Sequence, residues 1–281
     1  MDFNNNLIDL TEDEFNEIRK ILYSSFGISL NDNKRSLVIG RLRKVVMKKG
    51  FTSFTDFIEH IKADSSGKSM QELINRMSTN HTFFFREQDH FDILAASVLP
   101  EVISRIASSG SKDLRVWCAA ASSGEEPYSI LMTMMETLGS AYSDLQAGLL
   151  ATDISEEMLN FARKGIYPND RIVQIPKALR LRYLRSVGED GWQFLPEIRK
   201  EIAFRRLNLI QDRFPFKKQF HIVFCRNVMI YFDQDTRQQL VARLHEWIMP
   251  GGYLFVGHSE SIRTPECPFE FVRPSVFRKR E

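Results

Sequence analysis

From about residue 112 onward, short apolar runs alternate with amphipathic stretches, and this alternation limits the possible folds more than any other feature of the chain. "DLRVWCA" (113–119), "AGLLATD" (147–153), "IAFRRLNL" (202–209), "FHIVFCRN" (220–227) and "YLFVGHS" (253–259) have the length and apolar character of buried strands. Helical patterns lie between them. Residues 125–138 place Ile130, Met134 and Leu138 on one side, and "SEEMLNFARKG" offers Ser155 as an N-cap. "DQDTRQQLVARLHEWIM" is a further helix that Pro250-Gly251-Gly252 should end. Such alternation implies an α/β fold with a mostly parallel sheet and helices on both faces. Ligands of such sheets sit outside the carboxyl ends of the strands. Polar residues that follow the strands are therefore candidates: Glu126, Asp153, Asn208 and Asn227.

Residues 11–108 read as helical throughout. Thr11 and Glu14 form a capping box ahead of a stripe of Phe15, Ile18, Ile21 and Leu22. A second helix should cover 31–49 and stop at Gly50, a third should start at Ser53, and "SMQELINRM" belongs to a fourth. One stretch, from Ile166 to Ala203, breaks the strand–helix alternation. Its Asp190-Gly191 suits a tight hairpin turn, and either a small inserted subdomain or a long connection with its own helix accounts for it.

The turn between the first strand and its helix, "AAASSGEEPYSI" (119–130), narrows the ligand. Dinucleotide turns need several glycines and a helix N-terminus free to meet pyrophosphate. This turn has only Gly124, followed by Glu125 and Glu126, which would repel a diphosphate. S-adenosylmethionine carries a sulfonium and an ammonium and no phosphate, so a carboxylate there helps. Asp153, at the end of the second strand, is placed to accept hydrogen bonds from ribose hydroxyls. One of the two glutamates is expected only to complement the helix dipole.

With 43% hydrophobic and 26% charged residues and a net charge of +2, the 281-residue chain is an ordinary globular protein rather than a general polyanion binder. Cys118 and Cys225 sit in apolar runs as inert thiols, and Cys267 stands apart, with no metal-ligand spacing. "MDFNNNLIDL" lacks a basic region followed by an apolar one, and no apolar run approaches membrane-spanning length. The expectation is a cytoplasmic, reduced protein with no membrane insertion and no metal.

"NHTFFFRE" (80–87), "AAASSGEEPYSI", "FCRNVMIYFD" (224–233) and "GHSE" (257–260), in this order, resemble the chemotaxis receptor methyltransferases of the CheR type. The resemblance spans nearly the whole chain. It implies a helical substrate-recognition domain over 1–78 and a Rossmann-like methyltransferase domain over 79–281, with a β-subdomain inserted at about 167–202. It implies methyl ester formation on glutamates of the cytoplasmic helical bundle of chemoreceptors, with S-adenosylmethionine as cofactor. By position, Asn80, Thr82 and Arg86 would reach the cofactor from the segment joining the domains. Glu126 and Asp153 would bind it, Asn208 and Leu209 would line the adenine pocket, and Asn227 and Val228 would lie beside the methionine portion. Ser123 stands where many relatives carry Thr. The hairpin of the insert lacks the Gly-x-Gly pattern of relatives that bind a receptor C-terminal peptide there, which leaves that partner open.

Methylating a carboxylate needs no general base, since a glutamate of ordinary pKa ~4.3 is already ionised at neutral pH. This agrees with the absence of any nucleophile–His–carboxylate pattern; His81 and His258 are the only histidines near the presumed site. Alignment is what remains to be supplied. Arg86 is the candidate to orient the incoming carboxylate through two hydrogen bonds, and Tyr231 a candidate to shape the site. "KRSLVIGRLRKVVMKKG" (34–50) holds seven Lys/Arg and no acid. Lys34, Arg41, Lys44 and Lys48 face away from Val38, Leu42, Val45 and Val46, and an acidic helical surface is their natural partner. A nucleic-acid methyltransferase would need an aromatic platform among these cations, and none is present. A non-enzymatic cofactor sensor could keep Asp153 and lose Arg86 and Asn227, yet both are there. A monomer is expected.

Overall fold

The computed structural model describes residues 8–262 and 267–281. Most of the opening stretch, which bears on targeting, lies outside these residues. The described chain divides into two compact units: residues 8–79 with Tyr231–Asp233, and Asn80–Ile230 with residues 234–281.

The first unit is helical: α1 (Glu12–Phe26), α2 (Arg35–Lys48), α3 (Phe54–Ala63) and α4 (Lys68–Met77). Both sequence caps form. Thr11 and Glu14 close a capping box on α1, and Ser53 with Asp56 closes one on α3. Glu14 does more than cap. Its other carboxylate oxygen accepts the Thr55 N–H at 2.7 Å and the Thr55 hydroxyl at 2.8 Å, tying α1 to the start of α3. Val38, Leu42, Val45 and Val46 are buried, as the α2 pattern requires.

The second unit opens with α5 (Asp89–Ile93), which continues through a π-turn into α6 (Leu99–Ser108). It then follows the order β1 (Asp113–Cys118), α7 (Glu125–Leu138), β2 (Gln146–Asp153), α8 (Glu156–Lys164), β3 (Ile166–Tyr167), α9 (Lys177–Tyr183), β4 (Leu184–Ser186), β5 (Trp192–Phe194), α10 (Pro196–Lys200), β6 (Ile202–Arg206), β7 (Phe220–Cys225), α11 (Gln234–Trp247), β8 (Ile248–Val256), β9 (Phe269–Arg273) and β10 (Val276–Lys279). The main sheet is ordered β6-β2-β1-β7-β8-β10-β9. Its first five strands are parallel, and β10 and β9 are antiparallel to their neighbours. Strand order reverses between β1 and β7, which opens the crevice where doubly wound sheets take their ligands. The buried faces are dense with aromatic rings; Phe224 and Phe255 stack with centroids 4.3 Å apart.

Two details depart from the sequence expectation. Pro250-Gly251-Gly252 does not end a helix: α11 stops at Trp247, and the triplet lies inside β8. There it makes a bulge, since Phe220 pairs with Ile248 while Ile222 already pairs with Tyr253. The Arg105 guanidinium satisfies the freed carbonyls of Gly251 (2.6 Å) and Pro250 (2.9 Å). The second departure is the terminal β9–β10 hairpin, which the alternating pattern did not reveal.

The insert is a small antiparallel sheet ordered β3-β5-β4, with α9 between β3 and β4. Its β4–β5 connection turns at Gly191, where φ is +104°, and any Cβ would lie 2.3 Å from the Tyr167 carbonyl oxygen. Phe194 of β5 stacks on Tyr128 of α7 at 3.9 Å.

Candidate active site at the carboxyl ends of the strands

The β1–α7 turn is closed on itself. Gly124 N–H donates to the Ala121 carbonyl (2.9 Å), and Ser122 N–H donates to Asp153 (2.8 Å). Those two donors are therefore not free to meet a phosphate. Gly124 has φ +99°, and a Cβ there would lie 2.7 Å from both Ala162 Cβ and the Tyr167 hydroxyl. The two glutamates separate in role. Glu125 is fully buried against its own fold, accepting Ser123 Oγ at 2.7 Å and Arg171 at 2.9 Å. Glu126 points toward the crevice, with 11% of its side chain exposed.

Glu126 accepts Cys118 Sγ at 3.3 Å and the Arg226 guanidinium at 2.6 Å. Burial pushes its carboxyl up, and the Arg226 charge opposes that shift. Asp153, at the end of β2, accepts one N–H on each oxygen: Ser122 at 2.8 Å and Ser155 at 2.9 Å. Burial raises its carboxyl too, against those two bonds. A carboxylate has about four acceptor positions, so Asp153 keeps room for a further donor. Two acids side by side suit a cationic nucleoside, so the residues present fit S-adenosylmethionine.

The remaining sequence candidates of this unit fall around these two. The Asn80 carbonyl accepts Ser122 Oγ at 3.4 Å. Arg86 donates to the His81 carbonyl at 2.8 Å and lies over the Phe83 ring. Leu207 N–H meets the Asp153 carbonyl at 3.0 Å, which brings half-buried Asn208 and buried Leu209 in behind β2. Asn227 has φ +57° and reaches Glu87 through Nδ2 at 3.3 Å. Thr82 and Val228 are half-buried beside these residues in sequence. Tyr231 groups with the helical unit, where its carbonyl accepts Ser29 N–H at 2.9 Å. In that unit Lys34, Lys44 and Lys48 are exposed, whereas Arg41 is half-buried and donates to the Met77 carbonyl and, at 2.8 Å, to Thr79.

Three charged residues escaped the sequence reading. Arg226, fully buried, donates to the Arg86 carbonyl at 2.6 Å and to Glu87 at 2.9 Å, besides Glu126. Glu260 accepts three backbone N–H groups, from Asn227 (2.7 Å), Met229 (2.7 Å) and Gly257 (2.6 Å), and so shapes the turn after β7. Burial alone would raise the Glu87 carboxyl, but Arg226 brings it below its ordinary value. All three residues stand in the motifs quoted above, and an arginine directly after a buried strand was the available signal. Glu87, His90 and His258 bring ligand-type atoms within 4.8 Å of one another. The Glu87 oxygen that faces His90 at 3.5 Å is the one bonded to Arg226, and that positive charge opposes a cation there. Of the five described non-glycine residues with positive φ, Phe85, Glu87, Ser122 and Asn227 lie here, which is where backbone strain concentrates at functional sites.

A doubly wound sheet with an acid at the end of β2 and another in the helical turn after β1 is the arrangement of a nucleoside-binding α/β domain. Residues 80–277 match the family described as CheR methyltransferase, SAM binding domain, and residues 13–78 match CheR methyltransferase, all-alpha domain. The chain is 42% identical over 272 residues to the chemotaxis protein methyltransferase of Borreliella burgdorferi, covering 97% of this chain and 96% of that one. It is 37% identical to chemotaxis protein methyltransferase 2 of Pseudomonas aeruginosa (92% and 90% covered) and to the chemotaxis protein methyltransferase of Escherichia coli (95% and 91%). The chain belongs to the CheR methyltransferase family and is an S-adenosylmethionine-dependent methyltransferase.

Proposed function

We propose that this enzyme esterifies glutamate side chains on the acidic cytoplasmic helices of chemoreceptors, working as a monomer in the cytoplasm. The supporting observation is the pairing of Glu126 and Asp153 at adjacent strand ends, with Arg86 displayed on the same side of the fold. S-adenosylmethionine supplies a methyl group on a sulfonium. Glu126 would hold its ammonium, Asp153 its ribose and Leu209 with Asn208 its adenine, while Asn80, Thr82, Asn227 and Val228 would complete the walls. Arg86 would orient the substrate carboxylate, whose oxygen takes the methyl carbon while the donor sulfur keeps the C–S electron pair. No proton moves, so the buried and neutral His90, its pKa lowered to about 4 by burial, has no part to play. Tyr231 is kept as a substrate-side candidate. Lys34, Lys44 and Lys48 meet the acidic helices, with Arg41 contributing charge from the same face. No described helix is long and apolar enough to cross a membrane.

The test is transfer of a tritiated methyl group to receptor-rich membranes, with RNA as the control acceptor. Label on the receptor that is released as methanol by alkali is expected, because esters hydrolyse and N-methyl groups do not. Label on RNA alone would end the proposal. Arg86→Ala should abolish most turnover in a folded protein, and Arg86→Lys should not restore it, since an ammonium lacks the planar fork. Full turnover in the lysine variant would remove the orienting role.

A further inference from the structure

Arg86 is displayed by an unusual stretch of backbone. It sits between Phe85 and Glu87, both in the left-handed region at φ 56° and 58°, in a segment without regular secondary structure. Such a conformation persists only where its surroundings over-determine it. Two bonds do so. Phe85 N–H donates to Ser129 Oγ at 3.0 Å, and the Arg86 carbonyl accepts from Arg226 at 2.6 Å. The same guanidinium spans Glu87 (2.9 Å) and Glu126 (2.6 Å) and lies over the Phe91 ring at 5.7 Å. Its side chain has no exposure to solvent, so its contacts are made wholly within the fold.

We propose that Arg226 is a positioning residue for methyl transfer, one guanidinium fixing both the Glu126 carboxylate toward the cofactor and the backbone that displays Arg86 toward the substrate. The inference rests on the roles given above to Glu126 and Arg86. It links the two reactants mechanically: the group that fixes the methyl donor's ammonium partner also fixes the group that aims the acceptor. Lysine cannot replace it. A single ammonium cannot reach Glu126, Glu87 and the Arg86 carbonyl in the fixed directions of a guanidinium.

The test measures cofactor affinity by calorimetry, turnover at saturating cofactor, and thermal midpoint for Arg226→Lys and Arg226→Gln. Arg86→Ala and the double variant Arg86→Ala/Arg226→Gln are measured beside them. Folded Arg226→Gln should lose at least tenfold in cofactor affinity and at least a hundredfold in saturated turnover, and Arg226→Lys should recover less than a tenth of the lost turnover. The double variant should turn over no more slowly than Arg86→Ala alone, because Arg226 acts on that step through Arg86. Saturated turnover of Arg226→Gln within twofold of the parent would overturn the proposal. So would full additivity in the double variant. If Arg226→Gln does not fold, Glu87→Gln carries the test, and unchanged saturated turnover there overturns the proposal equally. Parental turnover in Arg86→Ala would instead refute the orienting role on which the inference rests, a result separable from all of these.

Discussion

Glu126 and Asp153 share a sheet edge and a charge, but they hold that charge by different means. Glu126 leans on a buried guanidinium at 2.6 Å, and Asp153 on two backbone N–H groups. Both carboxyls are raised by burial, so acidification should neutralise them above the ordinary carboxylate range. Cofactor affinity should therefore fall on acidification, beginning above the pH at which ordinary carboxylates protonate, and should fall again at alkaline pH as the ligand's own α-ammonium loses its proton. Glu126→Gln should weaken binding and flatten that profile, as calorimetry at several pH values would show. Asp153→Ala should lose roughly 1.5–3 kcal/mol of binding per charged hydrogen bond removed, and unchanged affinity in a folded variant would take Asp153 out of the site. The placement of Asp153 at a strand end and of Glu126 in the first helical turn after one was legible in the sequence, because strand periodicity fixes where a strand ends. Arg226 and Glu87 were not, because their partners lie far along the chain, and Glu260 was not, because its carboxylate gathers backbone N–H groups of a different loop. The Arg226–Glu87 bond joins residues 139 positions apart, and no local pattern encodes it.

At the level of elements, local signals translated well wherever one residue type has one backbone use. Thr11, Ser53 and Ser155 each cap the helix that follows. Thr11→Ala should cost about 1 kcal/mol in urea denaturation. Glu14→Ala should cost more, because it removes the cap partner and the bridge to Thr55 together. Gly124→Ala is the sharpest element-scale variant. A methyl group would lie 2.7 Å from Ala162 and Tyr167 in a left-handed backbone, so the variant should unfold at lower temperature and lose cofactor binding. A parental melting curve with parental affinity would contradict that geometry. Pro250-Gly251-Gly252 misled for a physical reason. A proline–glycine pair ends helices and also makes bulges, and the choice here was decided by Arg105, which caps the freed carbonyls from a distant helix. The β9–β10 hairpin was hidden because β9 is a five-residue run whose Phe271 and Val272 stay exposed, outside the strand–helix alternation that marks the rest of the sheet.

Across the whole molecule, formal charge is nearly balanced while its distribution is not. The exposed cations Lys34, Lys44 and Lys48 lie on and just before α2, whereas the crevice of the second unit is lined by acids. Reversing these three lysines to Glu should leave cofactor affinity unchanged and lower receptor methylation steeply. The loss should be largest at low salt, where Debye lengths of ~30 Å leave repulsion unscreened. Arg41 is left in place because its bonds to Met77 and Thr79 hold the helical unit together. Methylation rate against ionic strength for parent and variant makes the check, and superimposable curves would show that the face is merely solvated. The arrangement of a helical unit followed by an α/β unit was readable from pattern length alone, since both periodicities persist over many residues. The partner of the insert was not, because three strands of two or three residues carry too little pattern to specify a ligand.

The insert's grip on the β1–α7 turn bears on how such enzymes can be rebuilt. Tyr167 donates its hydroxyl to the Ser123 carbonyl at 2.7 Å, and Arg171 reaches Glu125. A chimera that grafts a foreign insert at its two chain junctions would therefore remove two struts from the turn that carries Glu126. Transplants should succeed only when the donor brings a tyrosine and an arginine at the matching positions, or when these two are retained from the host. The seam for modular redesign therefore falls after Arg171, and a grafted α9-to-β5 portion must still supply the Phe194 ring for Tyr128 and the α9 partners of Glu136.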